Sequence, residues 1–470
     1  MPSNTHDTTR PQLLQAEQFE QQQWEQEVVP RLPVGAEQKA KELGAFVRVR
    51  KLSRASDLLR GVLAYVLCAH SFRYLGIWAV VMAVADMSEA AWRKRLAKAR
   101  AWLGWLLVEL LAMGACRTPW LLCKGVRRVL LVDGTHLRCE GKDGQVYRLH
   151  TAFDLVAGRL SEVQVTTTHV AEDWSLFEVS EGDLLVSDSA NGYEQRLLFL
   201  QQQKADGISR FHPSTLPLDD EKGQRLDVLS WLKGRHARVG RLVERVVFLQ
   251  SQPDQPLRLI GLRLSEKQAQ ASRQRKRKKA QQDKRHIQAD TLYLAGWLLV
   301  VTTLPASQWS AAEVLTLYRC RWHIELFFKR WKQLLDAHRL RCEHPERAVT
   351  TILAWLLAWA LQEDELVAAR LHLQEACALP TQMGPAAAMP EPEQGQQQAI
   401  SEWLLATVSL DLLKQQVRGS FTAARFHACL PRLHRFLCAS PRRRTHWFSQ
   451  CGRWLTRSAA QEGKDVLFSC

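Results

Sequence analysis

No apolar run in this chain reaches the roughly 18–20 residues that a bilayer span requires. The most apolar stretches, Tyr74–Ala85, Ala101–Ala115 (interrupted by Glu109) and Leu294–Leu304, all fall short. The N-terminal MPSNTHDTTRPQLLQ lacks a basic-then-apolar signal pattern. A cytoplasmic protein with no membrane partner is therefore expected. No CxxC pair occurs among the eleven cysteines, so they read as free thiols of a reducing compartment, several of them buried. His427, Cys429, His434 and Cys438 match no standard zinc-finger spacing, and helical packing is the expectation for them. There is no internal repeat. Acidic residues are in deficit, 48 against 64 Lys and Arg, for a net charge of +16. That balance favours a polyanionic partner, nucleic acid first and acidic membrane second. No long cationic amphipathic helix with an exposed apolar face stands out, which leaves the membrane surface a distant option.

What is present divides along the chain. At 470 residues with 46% hydrophobic content, the chain has material for several folded units. Residues 1–35 form a polar, glutamine-rich tail. Residues 36–125 read as helical, with Ser88 as an N-cap. The short helix, the break near Ala85–Met87 and the helix carrying Arg93, Lys94, Arg95, Lys98 and Arg100 resemble a helix-turn-helix, so this region is the expected DNA-binding domain. A bundle with a solvated basic face is the alternative. From about residue 126 to 340 the pattern is strand, hairpin (turning at Ala157–Gly158), strand, helix, strand, which predicts an α/β mixed sheet. Residues 212–290 break that rhythm with two paired strands and the basic run RQRKRKKAQQDKR, and they read as a β-rich insertion. A helical extension (341–377), a Pro/Ala/Gln linker (378–399) and a helical C-terminal region (400–470) complete the chain.

The stretch YRCRWHIELFFKRWKQLL, residues 318–335, poses the functional question. At about 100° per residue, Tyr318, Arg321, Glu325, Lys329 and Lys332 fall within a sector of roughly 80° of one helix. Ile324, Phe327, Phe328, Trp331, Leu334 and Leu335 crowd the other side. Arg321, Glu325 and Lys329 could be ordinary surface ion pairs. Alternatively, Glu325 holds a metal ion while the cations and Tyr318 hold phosphates. Two further acids favour the second reading. Asp133 and Asp188 each stand at the carboxyl end of an apolar strand, VLLVD and GDLLVSD, the edge where α/β proteins place ligands. Small residues follow each of them. Three converging carboxylates suit Mg²⁺ or Mn²⁺, and two such ions can serve the entering and leaving oxygens of a phosphodiester.

These residues resemble a known family, the DDE transposases of bacterial insertion sequences, in the cut-and-paste group with a YREK signature. Tyr, two residues, Arg, three residues, Glu, six residues, Lys falls on Tyr318, Arg321, Glu325 and Lys332 without slippage. A second pattern, Asp-x-(Gly or Ala)-x-x-Tyr, falls on Asp188, Ala190 and Tyr193, though Glu194 stands where Phe is common. The match covers roughly residues 36–340. The resemblance implies an RNase H-like catalytic domain with a β-rich insertion between the second and third acids. It implies Asp133, Asp188 and Glu325 as the catalytic, metal-binding triad, and Tyr318, Arg321 and Lys332, assisted by Lys329, as DNA contacts. Arg319 and Arg330 read as ordinary surface charges, and His136 is left without a role. The expected partner is double-stranded DNA, both the element's terminal inverted repeats and the target, with a homodimer in the synaptic complex. The expected activity is end cleavage followed by joining of 3′ ends to target DNA. A non-catalytic DNA-binding relic, or another metal-dependent nuclease of the same fold, is the alternative.

Overall fold

A computed structural model describes residues 24–68, 71–82, 84–116, 123–140, 144–235, 238–337, 339–341, 344–378, 399–418 and 438–439. Most of the 1–35 tail, the body of the 378–399 linker, and His427, Cys429 and His434 lie outside them. The chain divides into two compact units. One draws on Met1–Thr118, Thr135–Leu149 and Leu326–His446, the other on Pro119–Gly134, His150–Glu325 and Trp447–Cys470.

The first unit opens with helices, as the periodicity predicts: α1 (Ala36–Glu42), α2 (Ala55–Leu67), α3 (Phe72–Val81), α4 (Glu89–Lys98) and α5 (Arg100–Cys116). Ser88 caps α4, its hydroxyl accepting from the Ala91 N–H at 3.3 Å. Along α4 and just beyond, Arg93, Lys94, Lys98 and Arg100 are exposed, whereas Arg95 reaches the Ala45 carbonyl. The polar tail is not wholly solvated, because Trp24 and Val28 are fully buried. Trp24 lies beside Arg60, a guanidinium 1% exposed that donates to the Val417 carbonyl at 2.9 Å. The Trp92 ring of α4 fills the space where a side chain on Gly61 of α2 would sit. Gly61→Ala therefore overpacks this contact and should cost about 1–3 kcal/mol, read as lowered hydrogen-exchange protection of the α2 amides.

The α/β part is as expected, a mixed sheet consistent with an RNase H-like fold. Its strands are β1 (Arg128–Cys139), β2 (Val146–Asp154), β3 (Arg159–Thr167), β4 (Asp183–Ser187), then α6 (Glu194–Gln202) and β5 (Asp206–Arg210). The β2–β3 turn uses Gly158 at φ 66°, with the Asp154 carboxylate accepting from the Val156 and Ala157 N–H groups at 2.9 Å. After α7 (Val228–Gly234) come β6 (Leu242–Leu249), β7 (Gln252–Arg263), α8 (Glu266–Gln282), α9 (Ala289–Leu294) and β8 (Trp297–Thr302). Strand order is β3-β2-β1-β4-β5-β8-β7-β6. β1, β4 and β5 run parallel, and β8 returns antiparallel to β5. The two strands of the 212–290 segment form the predicted hairpin, and β7 extends the main sheet by pairing with β8 from Arg258↔Thr302 to Arg263↔Trp297. The core beneath gathers Leu130, Trp174, Leu185, Leu197, Leu259 and Val301. The basic run lies on α8, which starts with a capping box of Ser265 and Gln268.

The 318–335 stretch is helical but not one uninterrupted helix. α10 (Ala311–Cys320), opened by a Ser310–Glu313 capping box, meets α11 (Trp322–Leu334) at Arg321. There the Arg321 N–H bonds the Tyr318 carbonyl and the Ile324 N–H bonds the Arg321 carbonyl, a tighter three-residue pattern. The apolar side is buried as predicted at Ile324, Phe327, Phe328, Trp331 and Leu335, while Leu334 is half-buried. In the first unit Phe327 meets Trp359 edge-on at 5.4 Å and Trp331 meets Trp355 at 6.4 Å, both partners on α12 (Pro345–Ala378). The far end of β1 pairs with the short β9 (Arg339–Leu340). Arg330 is not an ordinary surface charge. It bonds Glu402, at the start of α13 (Glu402–Arg418), at 3.3 Å, and Arg370 grips the same carboxylate twice at 2.8 Å. The apolar flank of α11 carries Arg330 inward, so it needs this half-buried acid. No helix among the described residues is long and apolar enough to cross a membrane. Cys139 and Cys320 are buried and in no disulfide, as expected.

Candidate active site

The parallel register of β1 and β4 sets the geometry. Its last pair is Val132↔Ser187, and the next residue on each strand is an aspartate, Asp133 and Asp188. Parallel neighbours stand about 4.8 Å apart, so the two acids occupy adjacent places on the same face. Asp133 does not end its strand, since β1 continues to Cys139. β4 does end, and Asp188 caps the 3₁₀ turn Ser189–Asn191 through the Ala190 N–H at 2.7 Å. The row extends one strand further. Ser187↔Ser209 is the last β4–β5 pair, which puts Arg210 beside Asp188. Arg210 stands at the end of a predicted strand, and the strand-end rule that singled out both aspartates applies to it equally.

Glu325 joins this group through Arg321. The Arg321 guanidinium donates to Asp133 Oδ2 at 3.3 Å and to Glu325 Oε1 at 2.5 Å. It also bonds Tyr318, which is 7% exposed. Burial pushes the Tyr318 hydroxyl pKa up, and the Asp188 charge adds to that, while Arg321 and Arg210 oppose it. Burial would lower the Arg321 pKa, but Tyr318, Glu325 and Asp133 together hold it above its ordinary value. The ion pair of Arg321 with Glu325 is thus real, and it reaches a third group that surface pairing does not require. A fourth acid, Glu172, comes from an irregular segment with no local signature. Its carboxylate lies where a side chain on Gly134 would sit, 2.6 Å from that Cβ position.

Burial pushes the Asp133 pKa up to about 7, with Asp188 and Glu172 adding to it and Arg321 and the Gly134 N–H opposing it. Between the ordinary value of 3.8 and about 7, the folded chain holds a proton that the unfolded chain has released. Stability therefore falls as pH rises through that window. In EDTA, the urea midpoint of the wild-type chain should drop between pH 5 and pH 7.5 by more than that of Asp133→Asn. Equal slopes would contradict the assignment.

The remaining expected contacts belong to the first unit. Lys332 donates to Thr135 Oγ1 at 2.7 Å and to the His136 carbonyl at 2.9 Å, and burial lowers its pKa. Lys329 is exposed. The His136 ring accepts from Arg148, and burial, then Arg148 and Lys332, depress its pKa.

The donor chemistry fits a hard divalent cation. Asp133 is half-buried beside other acids and needs positive charge nearby to ionise, and Arg321 supplies it by lying across Asp133 and Glu325. With Arg321 so placed, no three acid, His or Cys side chains among the described residues are gathered closely enough to hold a metal ion.

Comparison with known proteins covers the same stretch of chain. The family model described as a transposase DDE domain matches residues 124–361. The chain is 33% identical to the putative transposase InsL for insertion sequence element IS186A of Escherichia coli (strain K12), over 69% of this chain and 88% of that protein. It is likewise 33% identical to the transposase for insertion sequence element IS421 of Escherichia coli, with the same shares covered. With the family model and both relatives in agreement, the chain belongs to the DDE transposases of insertion sequences.

Proposed function

We propose that this chain binds the inverted-repeat ends of a mobile element, cleaves them by metal-dependent phosphodiester hydrolysis and joins the freed 3′ ends to target DNA. The observation that carries the reading is the side-by-side placing of Asp133 and Asp188 past the last β1–β4 pair, with Arg321 linking Asp133 to Glu325. DDE transposases generally use divalent metal ions. In the proposed scheme Asp133, Asp188 and Glu325 hold Mg²⁺ or Mn²⁺, two ions per site. Bound ions supply Lewis acidity to both the entering and the leaving oxygen.

The chain's own groups do the rest. Arg321, released from the carboxylates once they are otherwise neutralised, turns its fork to a phosphate, for which its geometry is suited. Tyr318 is held by Arg321 and offers a phenol that burial keeps protonated, hence a donor to a phosphate oxygen. Lys329 and Lys332 add positive charge along α11. The exposed cations of α4 are the proposed contacts of the N-terminal helices with the duplex. Joining two ends requires two active sites, so the proposed working form is a homodimer assembled on DNA.

The test uses DNA carrying the flanks of this protein's own gene, incubated with protein and Mg²⁺ or Mn²⁺, with every product end mapped. Cuts at inverted-repeat ends and joined 3′ strands are expected. Cuts without joining would favour a nuclease of the same fold, and binding without cuts a DNA-binding relic.

A further inference from the structure

We propose that the outward stripe of α8, carrying Lys267, Arg275 and Lys278, is a docking surface for the phosphate backbone of the element-end duplex, within about one helical turn of the phosphodiester being cut. The proposal rests on the transposase reading and adds to it a contact made by the insertion.

The sheet register places α8. Asp188 stands beside Arg210 of β5, Arg210 pairs with Val300 of β8, and Val300 pairs with Ile260 of β7. β7 runs in the same direction as β4 and continues from that row to Arg263, which pairs with Trp297. Its carboxyl end therefore lies at the same sheet edge as Asp188, three strands across and three residues further out. At about 4.8 Å per strand and about 3.3 Å per residue, α8 begins about 17 Å from Asp188.

The helix register says which side is free. α8 is held to its unit at Ala269, which is 1% exposed, and at Arg273, which donates to the Leu292 carbonyl of α9 at 3.2 Å. At about 100° per residue, Lys267, Arg275 and Lys278 fall within a sector of roughly 80° opposite those two. Ala271 and Gln282 share that sector, and all five residues are exposed. Arg275 reaches only its own helix among the described residues, at the Ala271 carbonyl, 3.3 Å away.

These three charges do nothing for the helix itself. Lys267, in the first turn, faces the positive end of the helix dipole. Arg275 and Lys278 repel one another at i and i+3. A polyanion offsets both costs. The stripe runs about 16 Å from Lys267 to Lys278, and that length of duplex carries about ten phosphates. The stripe thus ends within about 34 Å of Asp188, one turn of a duplex lying across the carboxylate edge. Cleavage precedes joining, so the first duplex to lie there is the element end.

The test measures affinity of the full chain for the same flank DNA, in EDTA, from 50 to 200 mM salt. Each phosphate contact steepens the log–log dependence by about 0.9, so wild type should lose about 40-fold more affinity across that range than the triple variant Lys267→Gln, Arg275→Gln, Lys278→Gln. The triple variant Lys267→Arg, Arg275→Lys, Lys278→Arg should keep the wild-type slope. A matched control removes three exposed charges at the opposite sheet edge, Lys204→Gln, Lys222→Gln and Arg225→Gln, and should also keep it. Phosphate-ethylation interference should disappear in the glutamine triple only at positions within about ten base pairs of the cut. Hydrogen-exchange protection of α8 in that variant, free of DNA, should be no lower than in wild type, which separates phosphate binding from a structural role. A wild-type slope in the glutamine triple, the same change in the control, or lowered α8 protection would overturn the proposal. So would wild-type end binding and cutting with joining alone lost, which would give the surface to the target duplex. A wild-type chain that binds but never cuts, with the slope difference intact, would overturn the transposase reading and leave the contact standing. A chain that does not bind the DNA at all would overturn both.

Discussion

Glu325→Gln should cleave flank DNA on the order of 10³-fold more slowly than wild type, or not measurably, at saturating Mg²⁺. The substitution keeps size and shape and removes one charge from a group of acids that Arg321 now bridges. In the proposed mechanism that charge is needed only when a divalent ion and a phosphodiester are both present. DNA affinity in EDTA should therefore not fall, because a negative group facing a polyanion has been deleted. Asp188→Asn should behave alike. Gel-based cleavage rates and filter-binding affinities on the same preparations separate the two effects. A Glu325→Gln chain that cuts at a rate near wild type would leave Glu325 as half of a surface ion pair.

Glu402→Ala should be the most damaging single change in the first unit. It removes the carboxylate that pairs with both Arg330 and Arg370, whose side chains are 14% and 12% exposed. Arg330 and Arg370 would then lose the carboxylate they share, leaving Arg370 only the more distant charge of Glu363, at a cost of about 3 kcal/mol. Burial already lowers the Arg330 pKa, and the nearby Arg370 adds to that. For Arg370, burial is outweighed by Glu402 acting through charge and hydrogen bond. A chain of two units need not unfold in one step, so the readout is local. Amide protection in α13 should fall about 100-fold in hydrogen exchange while that of β1, β4 and β5 holds. Replacing Glu402 by Leu together with Arg330 and Arg370 by Met should recover most of the loss.

Much of this was legible in the chain. Ser88 and Ser310 announced helix starts because a cap is a local device that needs only its next few residues. VLLV and DLLVS announced buried strands because parallel strands covered on both faces are apolar throughout. The spacing of Tyr318, Arg321 and Glu325 was legible because helical geometry converts spacing into direction, and the break at Arg321 was small enough to keep Arg321 and Glu325 in contact. What stayed hidden depends on partners distant in sequence. That β7 pairs with β8 is a matter of register, and backbone pairing leaves no mark on either strand alone. Arg330 looked like solvent-facing charge because its partner Glu402 lies 72 residues away. Glu172 sits on no regular element, so no periodicity points it at Gly134.

The central claim, that Asp133, Asp188 and Glu325 share one divalent-cation site, is tested most directly without DNA. Fe²⁺ bound in place of Mg²⁺, with ascorbate and peroxide, generates hydroxyl radicals that break the backbone near the bound ion. The account predicts fragments ending close to residues 133, 188 and 325, competed away by excess Mg²⁺ and absent from Asp188→Asn. Fragments elsewhere, or the same three in the Asp188→Asn chain, would contradict it.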